Sequence, residues 1–560
     1  MMRGQLRQFS PAMLLVISCF LGSAFSIDTS SWVGAEYQPA RSSNQDWLYH
    51  WDSYKEEVAR EIPMIKQALS FTAFRVFLHS AIYFASPERL MSTMDEFLEI
   101  CQRSGIRVGF VFFDDCWSHE GLDLQKPCQP TKGLHNHCWM ASPQDAERLN
   151  GVDHFKPYVQ EVVRRFQGDS RVLWWEIFNE PHVTDPYPQG NFSEALRAAA
   201  FGWAKALSEK PVISCWNEAD DTARGINTSN AYTELNDAHQ YAQPWNGISN
   251  AVFKNDTGKM KGGLVTEAGA RWYQGTNSDA GSPLTLVDWL TKLRKNPAAK
   301  FVPGVMIDWE VMVSNSNTRW HWGGQAQDQE PAIPWHQHLF PDGSPVSYTE
   351  AAAIRRYITG KDEFLYFNDF LNHVPNPGSA ERFLRLDAPF RPELTLKDGL
   401  VEMALWPDTA ATVRLKLRHS AEDSYEIALD ADKKTLSLSR GGKVRASFNV
   451  SSLDCGLLSG GMKELKGAWN LLRALVDGNR VQVWLNPMYP DVFPETLPVP
   501  SGPRVPIRAM PPRIDFEDPE PLKEGGLEVT AEGGGFLDYF SVLPPVLYGS
   551  DWPGRGVLYS

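Results

Sequence analysis

The sequence predicts a two-part α/β architecture, a (β/α)₈ barrel of the TIM type over residues 27–362 and an all-β sandwich over 363–548. Three observations carry this. Apolar strand-like runs alternate with helical stretches eight times between about residues 30 and 360. From about residue 365 helical periodicity gives way to short alternating runs separated by turns. No glycine-rich phosphate loop follows the first strand, which argues against a doubly wound open sheet.

The elements follow in order. Trp32–Tyr37 reads as the first strand, and Val58, Ile62, Met64, Ile65 and Leu69 recur at helical spacing behind it. Phe74–Leu78 is the second strand, Met91–Cys101 an amphipathic helix, and Arg107–Asp115 a third strand ending in acids. A long loop then runs from Cys116 to about Pro143, a length that usually has a job. The helix Val152–Phe166 leads into the fourth strand, Val172 to Phe178, a nearly continuous apolar run that suits a parallel strand covered on both faces. Asn179 and Glu180 close it, and Pro181 stops the ladder. Trp174 and Trp175 read as packing residues. Helix Ala195–Leu207, strands Pro211–Trp216, Glu234–Tyr241 and Gly263–Glu267, helix Leu284–Leu293, strand Gly304–Glu310 and helix Tyr348–Ile358 complete the set. The sandwich strands are read at Val401–Leu405, Thr412–Leu417, Tyr425–Leu429, Thr435–Ser439, Val481–Leu485 and Leu527–Ala531, with Pro498–Pro512 a surface loop and 549–560 a tail.

Composition narrows the class. A net charge of −14 argues against nucleic acid or an anionic membrane as partner. Residues 1–26 resemble a secretory signal: Arg3 and Arg7 precede the apolar stretch Ala12–Leu21, and Ala24 and Ser26 offer small residues for cleavage. The expectation is a secreted monomer. Six cysteines remain beyond the signal. Cys116, Cys128 and Cys138 share one loop and are candidates for a disulfide. His119, His135 and His137 lie nearby, but no Cys-x-x-Cys pair accompanies them, so no metal is expected. Sequons at Asn191, Asn227, Asn255 and Asn449 are candidate glycosylation sites.

The chemistry gathers at strand ends, which in such barrels open onto the reactive face. Glu180 and Glu267 each close an apolar strand and stand 87 residues apart, three strand-helix units, so they converge across the mouth. Two convergent carboxyl groups are what glycoside hydrolysis requires: one protonates the leaving oxygen, the other attacks the anomeric carbon or activates water. Asp114, Asp115, Glu36, Trp216, Asn217, Trp272 and Trp320 are further cleft candidates, with Asp115 and Trp272 placed among the substrate-binding residues. Asp308 and Glu310 sit near the mouth without an assigned part.

These residues resemble clan A glycoside hydrolases, most of all family 5, over about residues 30–360. Asn179-Glu180-Pro181 resembles that family's acid/base motif on the fourth strand, and Glu267 its nucleophile on the seventh. The resemblance implies that Arg75 lies beneath the nucleophile, that His239 and Tyr241 form a sixth-strand pair, and that Trp309 floors the subsite of the reacting sugar. It also implies net retention, a β-linked polysaccharide substrate and no cofactor. Where the family often carries a third-strand histidine, this chain has Asp114-Asp115-Cys116-Trp117. The second part resembles concanavalin-like and laminin-G-like sandwiches in pattern, which leaves carbohydrate binding and simple bracing both open.

Overall fold

The computed structural model describes residues 27–131, 133–181, 192–215, 232–240, 262–269, 302, 304–307, 309–320, 333–334, 336–370, 383–408, 411–451, 456–457, 463–486 and 512–545. Eight parallel strands come first: β1 (Val33–Glu36), β2 (Ala73–Phe77), β3 (Arg107–Asp114), β4 (Val172–Asn179), β5 (Val212–Cys215), β6 (Asn236–Gln240), β7 (Gly263–Ala268) and β8 (Gly304–Ile307). They pair in the order β5-β4-β3-β2-β1-β8-β7-β6. The ring closes at β5 and β6, where the Glu234 N–H donates to the Val212 carbonyl at 3.0 Å and the Val212 N–H donates to the Glu234 carboxylate at 3.0 Å. Tyr241, Trp272, Trp216, Asn217 and Asp308 lie outside the described residues, as do the signal-like segment, helix Leu284–Leu293 and Asn191, Asn227 and Asn255.

The helices α1 (Trp51–Leu69), α2 (Ser80–Ala85), α3 (Pro87–Arg103), α4 (Asp145–Arg148), α5 (Lys156–Phe166), α6 (Phe192–Lys205) and α7 (Tyr348–Thr359) surround the ring. The expected helix from Val152 divides: a 3-10 turn spans Val152–Phe155 and α5 starts at Lys156, because Pro157 lacks an N–H and fits only a first helical turn. The main core lies between strands and helices, with Tyr37, Phe74, Phe97, Phe112, Tyr158 and Trp175 buried there.

The second part is an antiparallel sandwich. One sheet contains β9 (Tyr366–Asn368), β10 (Leu384–Arg385), β11 (Gly399–Pro407), β18 (Asn470–Asp477), β19 (Arg480–Leu485), β20 (Ile514–Glu517) and β22 (Gly535–Leu543). The other contains β12 (Thr412–His419), β13 (Tyr425–Asp430), β14 (Thr435–Arg440), β15 (Lys443–Asn449) and β21 (Gly526–Glu532). The short pair β16 (Gly456–Leu457) and β17 (Lys463–Glu464) stands apart. Sequence reading misses β15, β18, β20 and β22, along with the short strands β9, β10, β16 and β17. The cause at β18 and β22 is double burial: both are buried at nearly every position. Their inner face packs on the second sheet and their outer face packs on the barrel, so no period-2 alternation is left to read. Asn449 ends exposed edge strand β15.

A buried carboxylate joins the two parts. Glu402 of β11 accepts from the Ser347 hydroxyl at 2.7 Å and from the backbone N–H groups of Thr349 at 2.9 Å and Tyr348 at 3.1 Å. These open α7, whose dipole favours an anion there. Arg473 and Tyr539 of the sandwich donate to the same carboxylate at 2.9 and 3.0 Å. Burial opposes its charge, but Arg473 and these donors prevail and the Glu402 pKa is lowered. A depressed carboxyl pKa contributes stability above the unfolded-state value, lost as pH falls through the folded value. Glu402→Gln leaves Arg473 buried without its counter-charge. It should destabilise the chain by roughly 3 kcal/mol in urea unfolding at pH 7, with the gap from wild type closing below about pH 4.

Candidate active site

The barrel interior is layered. Its floor is apolar: Trp32, Ala73, Leu173, Trp174, Ile213, Leu235, Leu264 and Met306. Trp174 stacks on Trp32 with centroids 5.7 Å apart. It lies directly against Gly109 of β3, where any Cβ would sit 2.0 Å from the indole, so only glycine admits the ring.

A charged layer rests on this floor, centred on Arg75 of β2, which is fully buried. Its guanidinium donates to Glu176 through Nε at 2.8 Å and Nη2 at 2.5 Å, a bidentate pair. Nη1 reaches Glu36 at 2.5 Å and Glu267 at 2.6 Å, and Nη2 also reaches the Asn179 amide oxygen at 2.6 Å. Glu176 and Asn179 are three apart on one strand, so strict alternation would point them to opposite faces. The β4/β5 register shifts between them, which lets both meet the guanidinium. One cation faces three carboxyl groups. Burial, then the charge of Glu267, push the Glu36 carboxyl well above the ordinary carboxylate range. Burial disfavours the Arg75 charge, yet Glu176, Glu36 and Glu267 outweigh it and raise its pKa.

Above this layer Glu180 and Glu267 meet. Glu180 follows the last residue of β4 with φ +39°, a left-handed turn that lifts its side chain off the strand line. His239 of β6 lies opposite Glu267 of β7 in register. Its Nδ1 is 2.5 Å from Glu180 Oε1 and 3.4 Å from Glu267 Oε2. One oxygen of each carboxyl and the imidazole nitrogen all lie within 4.8 Å of one another. Burial lowers the His239 pKa to about 4, so the ring is neutral at neutral pH. Three such atoms could in principle hold a metal. However, two ligands of one zinc at ~2.0 Å in a tetrahedron stand roughly 3.3 Å apart. Nδ1 and Oε1 are instead in direct hydrogen-bond contact.

The third strand supplies the neighbouring wall. Asp114 Oδ1 accepts from Asn179 Nδ2 at 2.9 Å and from the Cys116 N–H at 3.0 Å, and its Oδ2 accepts from the Trp139 indole at 2.7 Å. Burial pushes Asp114 up to about 7 against these donors. Trp309 sits edge-on between Phe77 and Trp139, at 5.1 and 5.0 Å, and is 6% exposed. With the Asn136 amide turned to satisfy its neighbours, its oxygen accepts from this indole N–H and from that of Trp117, at 3.0 and 3.1 Å. Loop 116–143 is fastened by the Cys128–Cys138 disulfide and by bonds from Asn44 to the Cys138 carbonyl and from Gln45 to the Met140 carbonyl. Cys116, the third disulfide candidate, is instead a buried free thiol.

The structure thus brings Arg75, Asn179, Glu180, His239 and Glu267 into one contact network, with Trp309 nearby through Phe77, which lies under the guanidinium at 4.7 Å. Asp115 is fully buried and ion-paired with Arg148. Its neighbour Asp114 is the acid that meets Asn179. Glu310 is buried under Ser314, Ser316 and Thr318, where burial pushes it up to about 7. Trp320 is likewise fully buried. Sequence reasoning missed Glu176, Trp139, Asn136 and the thiol of Cys116. Glu176 had a signal: a carboxylate inside a strand otherwise apolar on both faces needs a buried partner.

No protein-family model matches the chain, and no curated protein matches it. Among solved structures it is similar to a GH5_18 variant from Streptomyces cattleya in complex with Manb1-4GlcNAc, at 11% identity over 59% of this chain and 81% of that one, with a TM-score of 0.41. It is also similar to a carbohydrate binding module from Bacillus subtilis (14% identity, 28% of this chain and 77% of that one, TM-score 0.18) and to a Caenorhabditis elegans galectin (12%, 28% and 94%, 0.18). Likeness at this level says nothing about chemistry.

The charge layer makes a test. A carboxyl held protonated is mimicked by an amide, so Glu36→Gln should cost less than about 1 kcal/mol in urea unfolding at neutral pH. Glu176→Gln breaks the bidentate pair and should cost roughly 3–5 kcal/mol. Equal costs for the two would contradict the raised pKa of Glu36.

Proposed function

We propose that the chain is a retaining β-glycoside hydrolase, with Glu180 as acid/base and Glu267 as nucleophile. The observation that carries this reading is the approach of the two carboxyl oxygens to within 4.8 Å across one imidazole. One oxygen of each lies that near, which is compatible with the carboxyl separation of about 5–5.5 Å in retaining enzymes.

The residues divide the work. Arg75 Nη1 on Glu267 favours its ionised, nucleophilic form. Glu267 attacks the anomeric carbon while Glu180 gives its proton to the departing glycosidic oxygen. Water then enters, Glu180 takes its proton, and the bond from the anomeric carbon to Glu267 breaks, so the starting configuration is restored. Neutral His239 spans the pair without adding a cation that would strip Glu180 of its proton. Asn179 spends its oxygen on Arg75 and one Nδ2 hydrogen on Asp114. The other Nδ2 hydrogen faces the Cys116 sulfur at 3.7 Å, a weak contact that a sugar 2-hydroxyl would have to displace. Tyr241 and Trp272 are proposed substrate contacts on sequence grounds alone.

The substrate class is a cell-wall or storage polysaccharide such as β-mannan or β-glucan, or oligosaccharides from it, and the protein is proposed to be secreted, glycosylated and monomeric. The signal-like leader and the sequons support the secreted reading, and the aromatic cluster of Trp117, Trp139 and Trp309 supports a sugar ligand. Reducing-sugar release from β-mannan, β-glucan and β-galactan tests the reading. Wild type should turn over at least one, and Glu267→Gln should be slower on it by roughly 10³-fold. Proton NMR should find the first-formed product in the substrate's own anomeric configuration. Binding without turnover by either chain would favour a non-catalytic carbohydrate-binding protein.

A further inference from the structure

Glu180 has a second partner that the mechanism does not use. The thiol of Cys116 donates to Glu180 Oε2 at 3.2 Å, on the oxygen not engaged by His239. The thiol's surroundings are tied together. The Cys116 N–H is held by Asp114 Oδ1 at 3.0 Å, the same Asp114 oxygen accepts from Asn179 Nδ2, and Nδ2 itself lies 3.7 Å from the sulfur. Immediately after it Trp117 takes φ +69°, a conformation bulky residues rarely adopt, so the turn after Cys116 is imposed on the chain. Cys116 is 7% exposed and unpaired with any cysteine.

We propose that Cys116 is a positioning residue for Glu180: its thiol holds the carboxyl in one orientation without holding it in its ionised form. This rests on the acid/base role given to Glu180 above. A general acid needs a fixed direction and a retained proton, and these demands conflict. A strong donor such as a hydroxyl or an ammonium fixes the direction but stabilises the carboxylate. A thiol is a weak donor and fixes it at little cost in acidity. The surroundings keep the sulfur a thiol. Asp114 of β3, Glu176 of β4, Glu180 just beyond it, Glu267 of β7 and Glu36 of β1 face the site. Its cation is Arg75 of β2, and His239 of β6 is neutral. Burial first, and then Asp114, Glu180 and Glu267, push the thiol well above its ordinary range.

Two substitutions and one spectrum test this. Cys116→Ser installs a stronger donor, so the basic limb of the kcat/KM pH profile should move down by roughly half a unit to one unit. Cys116→Ala releases the Oε2 side of the carboxyl, so kcat should fall about tenfold on substrates with poor leaving groups and little on activated aryl glycosides, with KM unchanged. Cys116→Ser should restore that kcat. Independently of turnover, the Cys116 S–H infrared band, isolated by difference from Cys116→Ala, should be displaced from that of a free thiol and should move in Glu180→Gln. An undisplaced band overturns the proposal. So do wild-type pH profiles in both variants, or equal losses across all leaving groups. A displaced band in a protein that hydrolyses no glycoside instead removes the glycosidase reading, and the positioning role with it, while the contact stands.

Discussion

The buried guanidinium of Arg75 is the interaction on which the site depends. Four acceptors from three strands converge on it, Glu36 of β1, Glu176 and Asn179 of β4, and Glu267 of β7. Each buried ion costs several kcal/mol of hydration, and a single contact at an effective dielectric near 20 returns about 4 kcal/mol. No one pair therefore sustains the arrangement; the complete set does. The acids outnumber the cation, and burial, with the charge of Glu267 beside it, pushes the Glu36 carboxyl well above the ordinary carboxylate range. Glu267 remains beside the charge, which is the condition for a nucleophile.

The same economy of charge recurs where the parts join. Glu402 gathers the first N–H groups of α7, two hydroxyls and Arg473. The barrel's last helix is thereby anchored to the central strands of a sheet buried on both sides. The outer sheet carries its charges in pairs, Arg414 with Glu426 and Glu532, and Lys416 with Glu528. The sandwich packs against the barrel through this joint and the apolar contacts around it.

Much of this was legible in the sequence, for identifiable reasons. Parallel strands covered on both faces read as apolar runs, and Glu180 and Glu267 stood out because each interrupts such a run at its end. Arg75, placed under Glu267 by family resemblance, does contact it. What escaped detection depends on geometry that one-dimensional spacing does not encode. The register shift in β4 turns Asn179 to the side of Glu176, and no pattern of residue types announces a bulge. Strands β18 and β22 lack alternation because they are sandwiched. Of three cysteines in one loop, only the fold decides that Cys128 meets Cys138 and that Cys116 turns to Glu180.

The central claim is that Glu180 and Glu267 act on one sugar by double displacement. Mass spectrometry of Glu180→Ala incubated with an activated aryl glycoside tests it most directly, since removing the acid/base slows release of the covalent intermediate more than its formation when the leaving group needs no proton. The account predicts a peptide containing Glu267 that gains the mass of one glycosyl residue. An adduct on any other side chain, or none while the wild-type chain hydrolyses the same compound, would contradict it.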